Sequence, residues 1–262
     1  EICLGGLGRV EFIPLDYEGF TLPGVSVVID GPLLACLGSQ YAGWKIQRGK
    51  FFAMGSGPAR ALARTEELYA KIGVKDEADA AVLVLETGRL PNEEVADYVA
   101  EKCGVKPQRV SLAVAATRSL AGGVQIAARS VETAMHKLLE LGFDVAKVVS
   151  GFGTCPIATP AAHDLAAIGR TNDCVLYGSE VFLTVSATDS EIEPLIEKVP
   201  ASSSRDYGQL FGDLFKRYDG DFYKIDPLLF SPAKIAITNA ASGRTFRAGR
   251  FDAEMLRASL LG

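Results

Sequence analysis

Histidine and cysteine are scarce in this chain of 262 residues, and neither is arranged for chemistry that depends on clustered side chains. The two histidines, His136 and His163, stand far apart, and the five cysteines are scattered without a CxxC pair. A Cys/His zinc site needs closely spaced ligands, and a secreted disulfide framework usually has an even number of cysteines. The sequence therefore predicts no metal and no disulfides, with reduced thiols in a cytoplasmic protein.

Positive charge in blocks and long apolar runs are also missing. Lys and Arg number 27 against 32 Asp and Glu, so the net charge is 27 − 32 = −5. A surface without basic patches is a poor partner for nucleic acid or an anionic membrane, and we predict neither. No apolar run reaches the ~18 residues that suggest a membrane span. No GxGxxG leaves a strand and no GxxxxGK[ST] is present, so nucleotide-binding loops are not predicted.

Hydrophobic residues are plentiful, at 48% of the chain, which is ample for one large domain or two small ones. Over residues 79–150 the pattern alternates strand, helix, strand, helix, strand, and it predicts one compact α/β unit. Glycine-rich tracts at SGPAR, GFGTCP and GRTND are expected to be loops that line a ligand pocket. The opening EICLGGLGRVEF resembles the middle of a structured domain, so we expect residues upstream of it.

The stretch AGGVQIAARSVETAMHKLLELG, residues 121–142, reads as one amphipathic helix. Beside its apolar stripe, helical spacing places Gln125, Arg129, Glu132 and His136 on one flank, whereas Lys137 is expected to point away. An Arg and a Glu three residues apart are often only a solvated surface ion pair. If the flank borders a crevice, the Glu is instead a candidate general base that the Arg orients.

Other polar groups allow further interpretations, each with a simpler alternative. Cys155 with His163 could be a nucleophile and its base, or Cys155 could be a small buried hydrophobe. Asp173, Asp219 and Asp221 could bind a metal, although Asp in turns usually bonds to its own backbone. An aromatic tract could wall a flat ring, but its helical spacing favours core packing. Its members are Tyr207, Phe211, Phe215, Tyr218, Phe222 and Tyr223.

Several longer segments resemble the methenyltetrahydromethanopterin cyclohydrolase family. They are SQYAGW, FFAMGSGPARAL, VQIAARSVETAMHK, GRTNDCVLYG and SSSRDYGQLFGDLF followed by DFYKIDPLLFSPA. These segments follow the family's order, span nearly the whole chain from Gly5 onward, and are longer than generic motifs. The resemblance is therefore specific.

The resemblance implies an α+β fold with two α/β-type subdomains and the active-site cleft between them. We expect one subdomain to combine residues 1–78 with 175–262 and to lack its N-terminal portion, and the other to span residues 79–174. The family assembles as a homotrimer and uses neither a metal nor a redox cofactor. Its substrate is a tetrahydromethanopterin derivative, N5,N10-methenyl-tetrahydromethanopterin, whose cyclic amidinium it opens with water to give N5-formyl-tetrahydromethanopterin.

The resemblance also implies where the chemistry lies. The family's catalytic R-x-x-E pair corresponds to Arg129 and Glu132, and its S-Q-Y, which lines the reacting carbon, corresponds to Ser39, Gln40 and Tyr41. The carbon is already electrophilic because the substrate is a cation, so the missing component is a base for water. We expect the charge of Arg129 to lower the pKa of Glu132 and partial burial to raise it.

The remaining substrate contacts are expected from chemistry and position. SGPAR, with Ser56 and Arg60, could hold an anionic tail at a helix start, and Thr171, Asn172 and Asp173 could contact the edge of the pterin. Two alternative functions stay open. One is a related hydrolase acting on another pterin or on folate, and the other is a pterin-binding subunit without catalytic activity.

Overall fold

The structure is a computed structural model that describes residues 1–261, apart from the side chain of Tyr223. Strands and helices both occur throughout, which confirms the α+β class. In chain order the strands are β1 (Gly8–Tyr17), β2 (Phe20–Asp30), β3 (Trp44–Arg48), β4 (Phe51–Ser56), β5 (Ala81–Glu86), β6 (Val110–Ala115), β7 (Val148–Pro156), β8 (Glu180–Val185), β9 (Lys234–Asn239) and β10 (Thr245–Gly249).

The helices connect these strands and cover one side of each sheet. They are α1 (Ala59–Ala63), α2 (Leu68–Ile72), α3 (Glu93–Cys103), α4 (Leu120–Ala127), α5 (Ser130–Glu140), α6 (Asp164–Gly178), α7 (Asp189–Ile192), α8 (Phe211–Arg217) and α9 (Ala253–Leu260). A π-helical segment, Leu33–Gln40, follows β2. No described helix is both long enough and apolar enough to cross a membrane.

The larger sheet has six strands in the order β1-β2-β7-β8-β9-β10. Its neighbours are antiparallel except β8 and β9, which are parallel. The apolar side chains of Val25, Val27 and Ile29 on β2 are fully buried, and they pack with apolar residues of α5 and α6 into the larger core. The period of two is what a sheet with one covered face requires.

The smaller sheet has four strands in the order β3-β4-β5-β6. β3, β4 and β5 are antiparallel, and β5 and β6 form a parallel pair joined through α3. A second, separate core packs here around Trp44, Ile46, Leu83 and Leu85. Helix α3 begins where the Asn92 side chain accepts a hydrogen bond from the Val95 amide, which makes Asn92 its N-cap.

Strand pairing groups the chain differently from the expected subdomain boundaries. β3 and β4 of the range 1–78 share one sheet with β5 and β6 of the range 79–174, because β4 pairs with β5. The strand expected at the end of the 79–150 unit is β7, which lies in the larger sheet between β2 and β8. That unit is therefore wrong as predicted, because periodicity identifies a strand but not its neighbours. The subdomain boundaries themselves stay a prediction.

Two predicted helices are each broken into two. The helix expected over about 58–71 splits into α1 and α2 at Arg64, which has a left-handed backbone with φ of 48°. The helix expected over 121–142 splits into α4 and α5. At the second break Arg129 has φ of −92° and ψ of 4°, a sparsely populated backbone region often found at active sites.

Two of the three glycine-rich tracts are not loops. GFGTCP belongs to β7, and GRTND lies inside α6. The glycines of β7 have a packing role, because a Cβ at Gly151 would lie 2.6 Å from Val131 Cγ1 and one at Gly153 would lie 2.4 Å from Ser130 Oγ. Helix α5 therefore lies unusually close to β7, an approach that only glycine permits.

Candidate functional site

Arg129 and Glu132 lie inside the protein, so the solvated ion-pair interpretation is wrong. Arg129 is 8% exposed and Glu132 is 5% exposed. Arg129 Nη1 and Glu132 Oε2 are 3.9 Å apart, which is beyond hydrogen-bonding distance. The two groups attract each other electrostatically but leave their facing atoms available to a third group.

The guanidinium of Arg129 is held from three sides. Nε and Nη2 donate to Gln125 Oε1 at 3.1 and 2.7 Å, Nη2 also donates to Ser56 Oγ at 3.1 Å, and Nη1 donates to the carbonyl of Gln40. These contacts use all but one of the N–H groups of the side chain. The remaining N–H is on Nη1, the atom that stands 3.9 Å from Glu132.

Burial dominates the ionisation of Glu132. Loss of water raises the pKa of its carboxyl to about 7, and the charges of Arg129 and Arg60 oppose this only in part. The sequence suggested both influences but not which is larger. A carboxyl with a pKa near neutrality suits a general base, because it is ionised at working pH and still accepts a proton.

Local structure explains how the pair reaches this position. Ser119 caps α4 by accepting a hydrogen bond from the Gly122 amide, and α4 ends at Ala127. The carbonyl of Ala128 then accepts a hydrogen bond from Gln40 Nε2 at 2.9 Å. Arg129 follows at the break, and Glu132 lies in the first turn of α5. Because the break follows from tertiary contacts, helical periodicity alone does not predict it.

Gln40 and Ser56 meet Arg129 directly. Ser56 Oγ donates to the Gln40 carbonyl at 2.6 Å and accepts from Arg129, so the three residues form one buried cluster. Gln40 Oε1 is also buried, and no hydrogen-bond donor within the described chain reaches it. Buried polar atoms normally have a partner, so this oxygen is a candidate ligand contact.

Ser39 and Tyr41 flank the same cluster. The Ser39 hydroxyl donates to the Cys3 carbonyl at 2.7 Å, which directs it away from Arg129. The ring of Tyr41 stacks on His136 with centroids 5.5 Å apart. Burial, followed by the charge of Glu132, raises the pKa of Tyr41 to about 12, so its hydroxyl keeps its proton.

Arg60 has structural contacts throughout its guanidinium. Its side chain is fully buried and pairs with Glu66 through Nε at 2.9 Å and through Nη2. Its Nη1 donates to the carbonyls of Leu37 and Ser39. Arg60 therefore stabilises the π-helical segment behind the cluster with four of its five N–H groups. Contact of Arg60 with an anionic tail stays a prediction.

The polar residues of the GRTND tract make hydrogen bonds within α6 or to neighbouring helices. Thr171 Oγ1 donates to the Ala167 carbonyl, and Asn172 Nδ2 donates to the Ile168 carbonyl, so both bond within α6. Asp173 is buried and accepts from the Phe211 amide and from Ser259 Oγ. Their hydrogen bonds serve helix packing, and contact of these residues with a pterin stays a prediction.

The other candidate groups support the simpler interpretations. Cys155 is buried on β7, where loss of water raises its pKa, and His163 is exposed and caps α6 through the Ala166 amide. Asp219 pairs with Lys224 at 3.5 Å. Among residues 1–261, no three His, Cys, Asp or Glu side chains are grouped as metal ligands would be.

The aromatic tract is core packing. Phe211 and Phe215 are buried and stack with centroids 6.0 Å apart, and Phe222 packs against Phe215 at 4.5 Å. Tyr223 belongs to the same predicted tract, but its side chain lies outside the described part of the chain.

Lys137 is fully buried, contrary to expectation, and donates to Ser203 Oγ and the Leu228 carbonyl.

Sequence reasoning missed one part of the cluster. Gln125 Nε2 donates to Glu86 Oε2 at 3.2 Å, and the Thr117 hydroxyl donates to Glu86 Oε1 at 2.6 Å. Gln125 was placed on the correct flank, four residues before Arg129, but was given no role. The signal for Glu86 was an acidic residue that ends the buried strand AVLVLE.

The buried carboxyl of Glu132, with its raised pKa, and the firmly held guanidinium of Arg129 are features typical of enzyme active sites, so the site belongs to the enzyme class. The sequence matches the profile of the family described as cyclohydrolase (MCH) over residues 1–260. The chain belongs to this family, and the resemblance found in the sequence is confirmed.

Individual relatives agree with the family profile. A methenyltetrahydromethanopterin cyclohydrolase of Xanthobacter autotrophicus is 48% identical over 262 residues, which is all of this chain and 78% of the relative. One of Methanocaldococcus jannaschii is 48% identical, covering 99% of this chain and 82% of its own length. One of Methylosinus trichosporium is 46% identical, covering 98% and 99%.

Proposed function

We propose that this protein hydrolyses the cyclic amidinium of N5,N10-methenyl-tetrahydromethanopterin to N5-formyl-tetrahydromethanopterin, reversibly. The names of relatives that match nearly the whole chain support the substrate. The observation that carries the mechanism is the burial of Glu132 beside the one free N–H of Arg129, with the pKa of Glu132 near 7.

In the proposed first step, a water molecule contacts both Arg129 Nη1 and the carboxylate of Glu132. The 3.9 Å between these two groups is too long for a direct hydrogen bond, so both remain available to a shared water. Glu132 removes a proton as the water oxygen bonds to the carbon between the two ring nitrogens. The free N–H of Arg129 directs the oxygen, and holding both reactants in line lowers the entropic part of the barrier.

In the second step, the carbon–N10 bond of the resulting carbinol breaks. The electron pair goes to N10, the carboxyl of Glu132 returns a proton to N10, and the hydroxyl loses its own proton to become the formyl oxygen. The net reaction consumes one water and releases one proton. Within residues 1–261, no hydrogen bond engages the Tyr41 hydroxyl. We propose that this hydroxyl donates a hydrogen bond to the carbinol oxygen as it becomes the formyl oxygen.

The experiment mixes purified protein with the methenyl substrate and follows the loss of methenyl absorbance. Wild-type protein is expected to turn over this substrate faster than its tetrahydrofolate analogue. Glu132→Gln is expected to bind the substrate but to lose the base contribution, about 10²–10⁴-fold in kcat. The matched control is Glu180→Gln, which changes a half-buried carboxylate of β8 that pairs with Lys234 of β9. Near-normal turnover by Glu132→Gln would exclude Glu132 as the base.

A further inference from the structure

A line of hydrogen bonds runs from Arg129 into the smaller sheet. Gln125 Oε1 accepts from both Nε and Nη2 of Arg129, and Gln125 Nε2 donates to Glu86 Oε2 at 3.2 Å. Glu86 stands at the end of β5, and its other oxygen accepts from the Thr117 hydroxyl at 2.6 Å. The amide of Gln125 thereby links Arg129, where α5 begins, to a strand of the smaller sheet.

The chemistry of the two ends determines how the amide of Gln125 is oriented. A guanidinium offers only donors, so it requires the amide oxygen, and a carboxylate offers only acceptors, so it requires the amide nitrogen. Rotating the amide by half a turn would oppose donor to donor at Arg129 and acceptor to acceptor at Glu86. Without Glu86, nothing on that side would favour the present orientation.

The orientation matters because Gln125 holds one whole edge of the guanidinium. Ser56 and the Gln40 carbonyl hold Nη2 and Nη1, but the Nε edge of Arg129 is bonded to Gln125. If that edge is released, the guanidinium can rotate about its own axis. The free N–H that faces Glu132 then changes direction.

We propose that Glu86 and Gln125 are positioning residues for hydrolysis, acting through Arg129 on the line of attack of water. This inference rests on the proposed function. Neither residue needs to touch the substrate. Their effect is to keep the single free donor of Arg129 aimed beside the carboxyl of Glu132.

The identity of residue 125 also affects charge. A neutral amide holds Arg129 without neutralising it, so the charge of Arg129 remains available to favour the ionised form of Glu132. A carboxylate at position 125 would keep the geometry but would offset that charge. Geometry and charge can therefore be separated by exchanging the two side chains.

The test uses Glu86→Met and the exchange variant Glu86→Gln/Gln125→Glu in the full chain, with methenyl-tetrahydromethanopterin as the probe. Glu86→Met removes the acceptor of the Gln125 amide and is expected to lower kcat about 10- to 100-fold with little change in KM, as small misplacements of catalytic groups do. The exchange keeps a donor facing an acceptor at both contacts and is expected to retain most of the wild-type kcat. Its pH–rate profile is expected to move to higher pH, because a negative charge is moved from position 86 to the contact with Arg129.

Glu180→Gln is again the matched control and is expected to leave kcat, KM and the pH profile unchanged. A folded Glu86→Met protein with wild-type kcat would overturn the positioning role, as would an exchange variant with neither a higher kcat than Glu86→Met nor a pH shift. Should Glu86→Met fail to fold, Gln125→Met serves instead, and wild-type kcat in that protein would overturn the role equally. A wild-type protein that leaves the substrate unchanged would refute the proposed function itself, which is a separate result.

Discussion

At the scale of single residues, the site is governed by the competition between burial and charge at Glu132. The carboxyl is 5% exposed, and removing it from water raises its pKa from an ordinary 4.5 to about 7, although two guanidinium groups act against this. The protein therefore maintains a carboxylate in a place where it prefers to be protonated. Keeping this carboxylate ionised lowers the stability of the folded protein, but it makes the group a better proton acceptor.

The pH dependence of stability follows from this shift. Because the folded-state pKa lies above the unfolded value, the native protein holds its proton more tightly between pH 4.5 and about 7, and stability from this group falls as pH rises through that window. Glu132→Gln does not titrate. Its free energy of unfolding, relative to wild type, is therefore expected to rise from pH 4.5 to 8 by about 3 kcal/mol at most. Urea unfolding of both proteins at both pH values measures this difference in the free energy of unfolding. The same difference at pH 4.5 and at pH 8 would contradict the raised pKa of Glu132.

The same titration should appear in catalysis. The rate of hydrolysis is expected to fall as the pH drops below about 7, because protonated Glu132 cannot accept the proton of water. The acidic limb of the profile of kcat/KM against pH measures this pKa in the free enzyme, before the cationic substrate can lower it. A limb near pH 4.5, the ordinary carboxyl value, would contradict the shift caused by burial.

Arg129 should not be replaceable by lysine. Its guanidinium bonds simultaneously to Gln125, Ser56 and the Gln40 carbonyl, whereas an ammonium group is a point charge without the planar fork. Arg129→Lys is expected to lower kcat by at least about 10²-fold even though the charge is retained. Steady-state kinetics with the methenyl substrate measure it. Normal activity would mean that charge alone is required.

At the scale of secondary-structure elements, the site depends on how closely α5 approaches β7. Gly151 and Gly153 leave room for Val131 and Ser130, the residues between Arg129 and Glu132. Valine in a helix has essentially one side-chain rotamer, so it cannot turn away from an added methyl group. Shifting Val131 would shift both catalytic candidates.

Gly151→Ala is therefore expected to destabilise the protein by about 1–3 kcal/mol through overpacking and to reduce kcat. Its Cβ would lie 2.6 Å from Val131 Cγ1. The matched control is Gly88→Ala, where an added Cβ meets nothing within 4 Å. Thermal unfolding and kinetics of both variants measure the difference. Equal behaviour of the two proteins would contradict the packing role.

At the scale of the whole molecule, Asp173 joins elements that are distant in sequence. It lies on α6 and accepts hydrogen bonds from the Phe211 amide at the start of α8 and from Ser259 Oγ on α9. Burial, opposed by these hydrogen bonds, raises its pKa to about 6. These contacts indicate a structural role for Asp173, because they hold α6 against α8 and α9.

Asp173→Ala is expected to lower stability by about 1–3 kcal/mol, because the Phe211 amide is left buried without an acceptor. KM for the methenyl substrate is expected to stay unchanged. Asp173→Asn, which keeps an acceptor, should lose less stability. A large rise in KM in a stable Asp173→Asn protein would instead support the sequence-based prediction that Asp173 contacts the pterin.

The homotrimer also remains a prediction, which sedimentation of the purified protein tests.

Much of the local structure was readable from the sequence, because local patterns have local causes. Apolar runs rich in β-branched residues predicted β2, β5 and β6, and the early acids and the terminating Gly of PNEEVADYVAEKCG predicted α3. The R-x-x-E pair and the S-Q-Y segment were likewise identifiable, because the family's specific segments extend over most of the chain.

Only the tertiary structure decided which strands are neighbours, where the helix over 121–142 breaks, and which polar groups are already satisfied. Strand order depends on contacts between residues far apart in sequence, so β7 could not be assigned to its sheet from its own residues. Arg60 and Arg129 are similar in sequence terms, yet Arg60 pairs directly with Glu66, while Arg129 stands 3.9 Å from Glu132 and keeps a free N–H on the nearer nitrogen. Burial is a property of the packed molecule, and it sets the ionisation of the carboxyl that the sequence had only located.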